Sequence, residues 1–328
     1  MKRREAEIAP PTMVDQATEL RRLVLRAAGD TVADAGPVPR LLVLSGGKGG
    51  VGVTTLAVNL AVMLSRQGAR VVLVDADLYR ADVATLCGVD ERGNVADVLA
   101  ARRDIHEVLQ PGPSGVQVLP GLWAPGQPAD YSETAQQRLL RQLRTLGRHA
   151  DVVVLDVGNG GNEVVRRFWK AADDVLLVTT PDSMSVMDSY ATIKRTATAE
   201  DGLTIRLIVN KAADQDVARD VNRRINVSCQ RFLGFQVDGL GYLPADSCVD
   251  AAASAGTPFV ISTPDGAAAT ALKRMAAQLV TEKTGATSTS CPSRQDPIEA
   301  NKSTNLTEPP VPFSPIDRKG PVCPARLT

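Results

Sequence analysis

The sequence concentrates its chemically capable residues in a glycine-rich stretch, SGGKGGVGVTT, at positions 45–55. Glycines lack a Cβ, so the backbone can curl tightly and turn successive N–H groups toward one point. A helix that begins directly after such a loop adds the positive end of its dipole. The stretch is therefore suited to bind phosphate. Its candidate ligand-binding residues are Gly47, Lys48, Gly49, Gly50, Val51, Gly52, Val53, Thr54 and Thr55.

The stretch matches the phosphate-loop pattern G-x-x-x-x-G-K-[ST] at every fixed position except the lysine. Gly47, Gly52 and Thr54 fall in place, whereas Val53 stands where the lysine belongs. Thr54 can place its hydroxyl on Mg²⁺, but an apolar β-branched side chain offers phosphate neither charge nor a hydrogen bond. This departure limits what the motif alone implies about nucleotide turnover.

The same glycines also satisfy the dinucleotide pattern G-x-G-x-x-G, and Asp75 closes the next predicted strand, where a ribose could bind. A dinucleotide site therefore stays open as an alternative. We favour a nucleoside triphosphate because the sequence has three features that a pyrophosphate fingerprint does not require. These are Lys48 inside the loop, the Thr54-Thr55 pair at the helix start, and Asp77.

Three aspartates stand where predicted strands end. Asp75 follows the apolar run 71–74, Asp77 comes two residues later, and Asp156 closes the run DVVVLD. Acidic residues at the carboxyl ends of parallel strands lie at the ligand edge of a doubly wound sheet. We therefore predict Thr54, Asp75 and Asp156 as Mg²⁺ ligands, with Asp156 acting through a water molecule. For Asp77, a role in capping the following turn remains the alternative to a catalytic one.

Strands and helices must position these residues. Short apolar runs alternate with helical patterns across residues 38–284, which predicts one doubly wound α/β domain with a mainly parallel sheet and helices on both faces. The 328 residues, 44% of them apolar, are enough for one large core. The predicted strands are 41–44, 71–74, 116–121, 151–156, 175–179, 205–209 and 239–243. A final helix is predicted at 266–283.

Composition excludes several classes of function. Lysine plus arginine equal aspartate plus glutamate at 37 each, so no global charge favours nucleic acid as a partner. The five cysteines show no C-x-x-C spacing and only two histidines accompany them, which argues against a disulfide framework or a metal cluster. No apolar run reaches the roughly 18 residues of a membrane span, so we expect a cytoplasmic protein. Peripheral contact with the inner face of the membrane is left open, although only Lys273, Arg274 and Lys283 make the final helix basic.

At KGGVGVTT the chain resembles the MinD/ParA family, whose phosphate loop reads K-G-G-x-G-K-[ST]. The resemblance implies ATP or ADP with Mg²⁺ as cofactors, and an ATP-dependent homodimer in which Lys48 reaches the partner subunit's nucleotide. It also implies that Asp77, in the DADL segment, orients the attacking water. Asn210 and Pro244 match residues near the adenine, although a plain turn role for Asn210 is left open. Because Val53 replaces the family's second lysine, we expect hydrolysis to be weak or absent.

Residues 1–37 are predicted to form an arm whose helix spaces Val14, Ala17, Leu20, Val24 and Ala27 along one face. The segment DQA at 15–17 resembles the activator motif of the family's FlhG branch, also written FleN or YlxH. That resemblance implies that residues 12–28 bind and stimulate an FlhF-type GTPase. It also implies a role in flagellum placement or number, with basal-body components among the partners. Packing of the helix on its own domain is the alternative.

Two further functions remain as alternatives. One is a non-hydrolysing localisation scaffold similar to CpaE and TadZ, which also lack the within-subunit lysine. The other is a ParA-type DNA carrier, for which one predicted helix offers a basic stripe. Its members are Arg219, Arg223, Arg224 and Arg231. Residues 285–328 are rich in serine, threonine and proline, and we predict that this tail is disordered.

Overall fold

The computed structural model describes residues 37–77, 80–90, 92–121, 131–198 and 201–285, with side chains described as far as 281. The chain divides into a unit of residues 1–287 and a second unit of residues 288–328. The predicted arm helix and, apart from its first residue, the predicted tail lie outside the described residues. The account below concerns the first unit.

The described part of the chain forms an eight-stranded sheet. The strands are β1 (Arg40–Gly46), β2 (Val71–Asp75), β3 (Gln110–Pro111), β4 (Gln117–Leu119), β5 (Val152–Asn159), β6 (Asp174–Thr179), β7 (Ile205–Ala212) and β8 (Asp238–Pro244). Their order is β3-β4-β2-β5-β1-β6-β7-β8. All neighbouring pairs are parallel except β3 with β4. The predicted doubly wound, mainly parallel α/β fold is confirmed.

Eleven α-helices are described. They are α1 (Val53–Arg66), α2 (Val83–Cys87), α3 (Val95–Leu99), α4 (Ile105–Val108), α5 (Glu133–Thr145), α6 (Glu163–Ala171), α7 (Ser183–Thr196), α8 (Gln215–Leu233), α9 (Ser247–Ser254), α10 (Phe259–Ser262) and α11 (Ala267–Gly285). Short 3₁₀ turns stand at Pro113–Gly115 and Leu146–Arg148. None of the described helices combines the length and hydropathy needed to cross a bilayer.

Helices cover both faces of the sheet, which is why the central strands are continuous apolar runs. On one face Leu42 packs in a core that includes Leu56 of α1 and Leu272 of α11. On the other, Val43 belongs to a core that includes Phe168 of α6. Side chains alternate between the faces along a strand, so β1 contributes to both cores. The final helix thus packs on the sheet, as predicted.

One predicted strand is clearly shorter in the structure. The strand predicted at 116–121 is confined to β4, because Pro120 has no N–H to donate to a ladder. Asp151, just before β5, lies at the amino edge and pairs with Arg70, with 2.9 Å between Oδ1 and Nη2. The residues predicted to bind a ligand all lie toward the opposite, carboxyl edge.

Candidate nucleotide site

The glycine-rich loop connects β1 to α1, and two of its glycines cannot be replaced by larger residues. A Cβ on Gly47 would collide with the backbone of α7 at Ser189. Gly52 has a φ of 96°, and a Cβ there would come within 2.6 Å of Asn210 Nδ2. Glycine is therefore required at both positions, because neighbouring elements approach the loop backbone so closely.

Asn210, near the end of β7, holds the loop through its side-chain amide. Its Nδ2 donates to Val51 O at 2.8 Å, and its Oδ1 accepts from Lys211 N–H at 2.9 Å. Pro244 closes the neighbouring strand, where it pairs with Ala212. The two residues predicted to lie near a base thus stand at the same edge of adjacent strands. The contact between Asn210 and the loop was not predicted, since no spacing rule links residues 159 positions apart.

Val53, at the position of the missing lysine, is turned into the protein. Its side chain is only 6% exposed and belongs to the apolar core beneath the loop. A Cβ added at Gly46 would lie 2.8 Å from Val53 Cγ2 and 2.9 Å from Val51 Cγ2. The two valines therefore fill the space under the loop. An apolar side chain buried there contributes packing and has no donor for phosphate.

Asp75 and Asp156 are fully buried and stand opposite each other in the β2–β5 pairing. Burial raises the pKa of Asp75 well above its usual range, and the charge of Asp156 raises it further. Burial also raises the pKa of Asp156 to about 6, although hydrogen bonds from Gly158 N–H and the Thr54 hydroxyl favour its ionised form. Asp156 Oδ2 has no hydrogen-bond partner among the described residues. The site thus holds adjacent carboxyl groups that would gain from a nearby cation.

Asp77 lies in the same cluster and approaches Gly158, near the end of β5. A Cβ on Gly158, whose φ is 68°, would collide with the Asp77 carboxylate. The Asp77 N–H donates to Asp75 Oδ1 at 3.2 Å, and Arg80 N–H donates to Asp77 Oδ1 at 3.3 Å. The backbone therefore turns after β2. The contact with Arg80 N–H fits the capping alternative. The catalytic role of Asp77 stays a prediction.

Lys48 stands at the solvent side of the loop with its side chain 41% exposed. Its Nζ lies 3.2 Å from Asp182 Oδ1, at the start of α7. Asp182 also accepts from Thr180 Oγ1 at 2.5 Å and from Ser185 N–H at 2.9 Å. These two hydrogen bonds and, to a smaller extent, the interaction with Lys48 lower the pKa of Asp182 to about 2. An exposed ion pair contributes little stability, so Lys48 can leave Asp182 readily.

The residues fit a nucleotide with Mg²⁺ at every position except that of the lysine. The tight loop presents backbone N–H groups, and the hydroxyl of Thr54 and the unpartnered Asp156 Oδ2 are oxygen ligands of the kind Mg²⁺ prefers. The oxygens of Asp75 accept from the N–H groups of Asp77 and Val83 at 3.2 and 3.3 Å, and its role as an Mg²⁺ ligand stays a prediction. Bound Mg²⁺ would neutralise charge on phosphate oxygens.

Comparison with known proteins identifies similar sequences. The sequence profile of the ParA family, described as an NUBPL iron-transfer P-loop NTPase, matches residues 38–280. Antiactivator FleN of Pseudomonas aeruginosa is 33% identical over 211 residues, which cover 64% of this chain and 75% of that protein. The flagellum site-determining protein YlxH of Helicobacter pylori is 29% identical over 65% of this chain and 72% of its own length. Septum site-determining protein MinD of Bacillus subtilis is 27% identical, covering 74% and 89%.

Solved structures share the fold. The cell division ATPase MinD of Pyrococcus furiosus superposes with a TM-score of 0.61 at 23% identity, covering 74% of this chain and 99% of that one. MinD of Pyrococcus horikoshii, complexed with Mg-ADP, also has a TM-score of 0.61 at 23% identity, covering 75% and 97%. At this identity the likeness concerns the fold alone.

Proposed function

Because the chain belongs to the ParA/MinD family of P-loop NTPases, we propose that it is an ATP-binding, cytoplasmic regulator of flagellum placement or number of the FlhG type. Nucleotide binding is supported by one observation: the glycine loop and Thr54 lie together with Asp77 and Asp156 at one edge of the sheet. The flagellar part is supported by the similarity to FleN and YlxH.

Nucleotide-gated dimerisation is part of this proposal, and the surface around Lys48 supports it. Lys48 is solvent-accessible, and its partner Asp182 caps α7. The first two turns of that helix expose Met184 and Met187, at 60% and 63%. Methionine is a flexible apolar residue often found at binding surfaces. A second copy of the chain that faces the loop would cover these side chains and bring its own Lys48 to the nucleotide.

We expect Lys48→Ala to weaken ATP-dependent dimers by about ten- to a hundredfold, because a charge-assisted hydrogen bond contributes roughly 1.5–3 kcal/mol. Light scattering of the full chain with and without Mg²⁺ and a non-hydrolysable ATP analogue measures the mass. Lys273→Ala, on the exposed side of α11, is the matched control and should dimerise like the wild type. An unchanged mass in every sample, or equal dimers in all three proteins, would refute this mechanism.

The proposed stimulation of a GTPase by the arm can be tested with an isolated peptide. A peptide of residues 1–37 should raise the GTP turnover of the FlhF-type GTPase from the same organism without the nucleotide-binding domain. The control peptide carries Leu20→Asp, which places a charge on the apolar face and should be inactive. A silent wild-type peptide beside a fully active intact protein would mean that the helix has another role.

A non-hydrolysing localisation scaffold remains the second candidate, favoured by the buried Val53. The DNA-carrier alternative is less well supported by α8. Three of the four arginines of its stripe lie beside acidic side chains, which offset the charge that phosphate contacts need. These pairs are Arg219–Asp216 at 3.2 Å, Arg223–Asp220 at 2.6 Å and Arg224–Asp220 at 3.8 Å.

A further inference from the structure

An apolar cleft lies at the amino edge of the sheet, far along the strands from the glycine loop. It has a volume of about 250 Å³. We call it the amino-edge cleft, and the side chains that define it are Val38, Leu41, Leu140, Leu143 and Val153. Val153 and Leu143 are almost fully buried, whereas Val38 is 63% exposed. Val38 thus adds exposed apolar surface to the mouth of an apolar recess.

The described chain begins at the rim of this cleft. The carbonyl of Pro37 packs so closely on Gly147, after α5, that a Cβ there would collide with it. The next residue, Val38, already lines the cleft. Arg40 then fixes the start of β1, since its Nε donates to Asp174 Oδ2 at 2.9 Å. Residue 37, to which the arm is joined, therefore lies at the rim of the cleft.

We propose that the apolar face of the arm, Val14, Ala17, Leu20, Val24 and Ala27, docks in the amino-edge cleft of its own subunit. The eight residues between 28 and 37 span less than about 30 Å even when fully extended. A tether of this length gives an effective concentration in the millimolar range, above that of any free partner. The arm is thus the occupant that the geometry favours over a second copy or another protein.

Size and charge of the cleft suit this occupant. Its volume is about eight times the share of one water molecule in the liquid, so aliphatic side chains can enter it. An isolated helix of about 15 residues is marginal in water and gains stability by burying its apolar face. The rim carries both signs of charge, Arg144 and Asp173. At 100° per residue Arg21 borders the apolar face of the arm, where an acidic rim residue complements it.

Docking has a consequence that rests on the proposed function. The same apolar face would bind the GTPase, so the GTPase must displace the arm from the cleft. The smaller the fraction of undocked arm, the lower the apparent affinity of the GTPase. The cleft lies at the edge opposite the glycine loop, so docking leaves the nucleotide site uncovered. The docking itself is independent of any GTPase and is tested without one.

Amide hydrogen exchange of the full chain, followed by mass spectrometry, tests the docking. In the wild type, peptides from residues 13–28 should exchange at least about tenfold more slowly than the same sequence as a free peptide. Val38→Asp should abolish that protection. Val227→Asp is the matched control, because Val227 is 52% exposed on α8, remote from the cleft. Both valines are exposed, so neither change should unfold the domain.

Substitutions in the arm provide a second readout that does not alter the cleft. Leu20→Asp should speed exchange in peptides that cover α5, whereas Arg22→Asp, on the polar side of the arm, should not. Leucine and arginine have similar helix propensity, so both changes weaken the helix alike. Free-peptide exchange rates in the wild-type arm, or protection that survives Val38→Asp, would overturn the proposal. Protection that disappears on dilution would assign the cleft to a second copy and overturn it equally.

Discussion

Replacing Val53 with lysine is expected to tighten nucleotide binding by about ten- to a hundredfold and to raise ATP hydrolysis by on the order of a hundredfold or more. The binding gain corresponds to one charge-assisted hydrogen bond to phosphate. The gain in rate is larger because the new cation meets charge that grows in the transition state, in a pocket with little water. Wild-type hydrolysis should stay near background, since the side chain at this position is buried among apolar groups.

The control for this experiment is Val53→Met, which adds length without charge. Calorimetry with ATP analogue and Mg²⁺ gives the affinity, and phosphate release gives the rate. If methionine improves the rate as much as lysine, a change of packing beneath the loop explains the effect and the charge does not. Robust wild-type turnover that Val53→Lys leaves unaltered would show that another residue performs the task of the lysine.

The nucleotide-free protein is expected to become less stable as the pH rises from about 4 to about 6. The pKa of Asp156 in the folded state is about 6, above its ordinary value of 3.8, so the folded state holds this proton more tightly than the unfolded state. Between these values the folded state binds more protons, and the free energy of unfolding therefore falls with pH. This contribution to stability is lost in full above the folded pKa. The raised pKa of Asp75 acts in the same direction.

The carboxylates whose pKa is lowered, Asp182, Asp201 and Asp246, do not reverse this trend within the window. The pKa of Asp182 is lowered to about 2, so the stability it contributes is present above pH 4 and is lost only in stronger acid. Urea denaturation at pH 5 and pH 7.5 measures the difference. Asp156→Asn should stabilise the protein at pH 7.5 and reduce the difference, because it removes one of two adjacent buried charges.

Asp238→Asn, which changes an exposed aspartate at the start of β8, is the control and should leave the pH dependence intact. Asp156→Asn should also lose the part of nucleotide binding that depends on Mg²⁺, because it removes the carboxylate predicted to hold the ion. A wild-type protein equally stable at pH 5 and pH 7.5 would contradict the assignment of a raised pKa to this cluster.

Much of the architecture could be read from local patterns. Apolar runs such as residues 71–74 and 151–156 are long enough to be buried strands. The glycine-rich composition of the loop predicts that α1 begins directly after it. Parallel strands that each end in an aspartate must bring those aspartates to one edge, so that Asp75 and Asp156 share an edge followed from strand direction alone. That they stand opposite each other depended on the pairing of β2 with β5. These features depend on residues close in sequence or on rules of topology, which is why they were predictable.

The sequence by itself determined the family, the fold and the edge of the sheet where a nucleotide can bind. Only the tertiary structure decided how individual side chains are used there. Val53 is turned into the core, Asn210 clamps the loop at Val51, and Lys48 pairs with Asp182. The latter two contacts join residues more than 130 positions apart. The direction of a side chain depends on the packing of elements distant in sequence, and periodicity carries no information about such contacts.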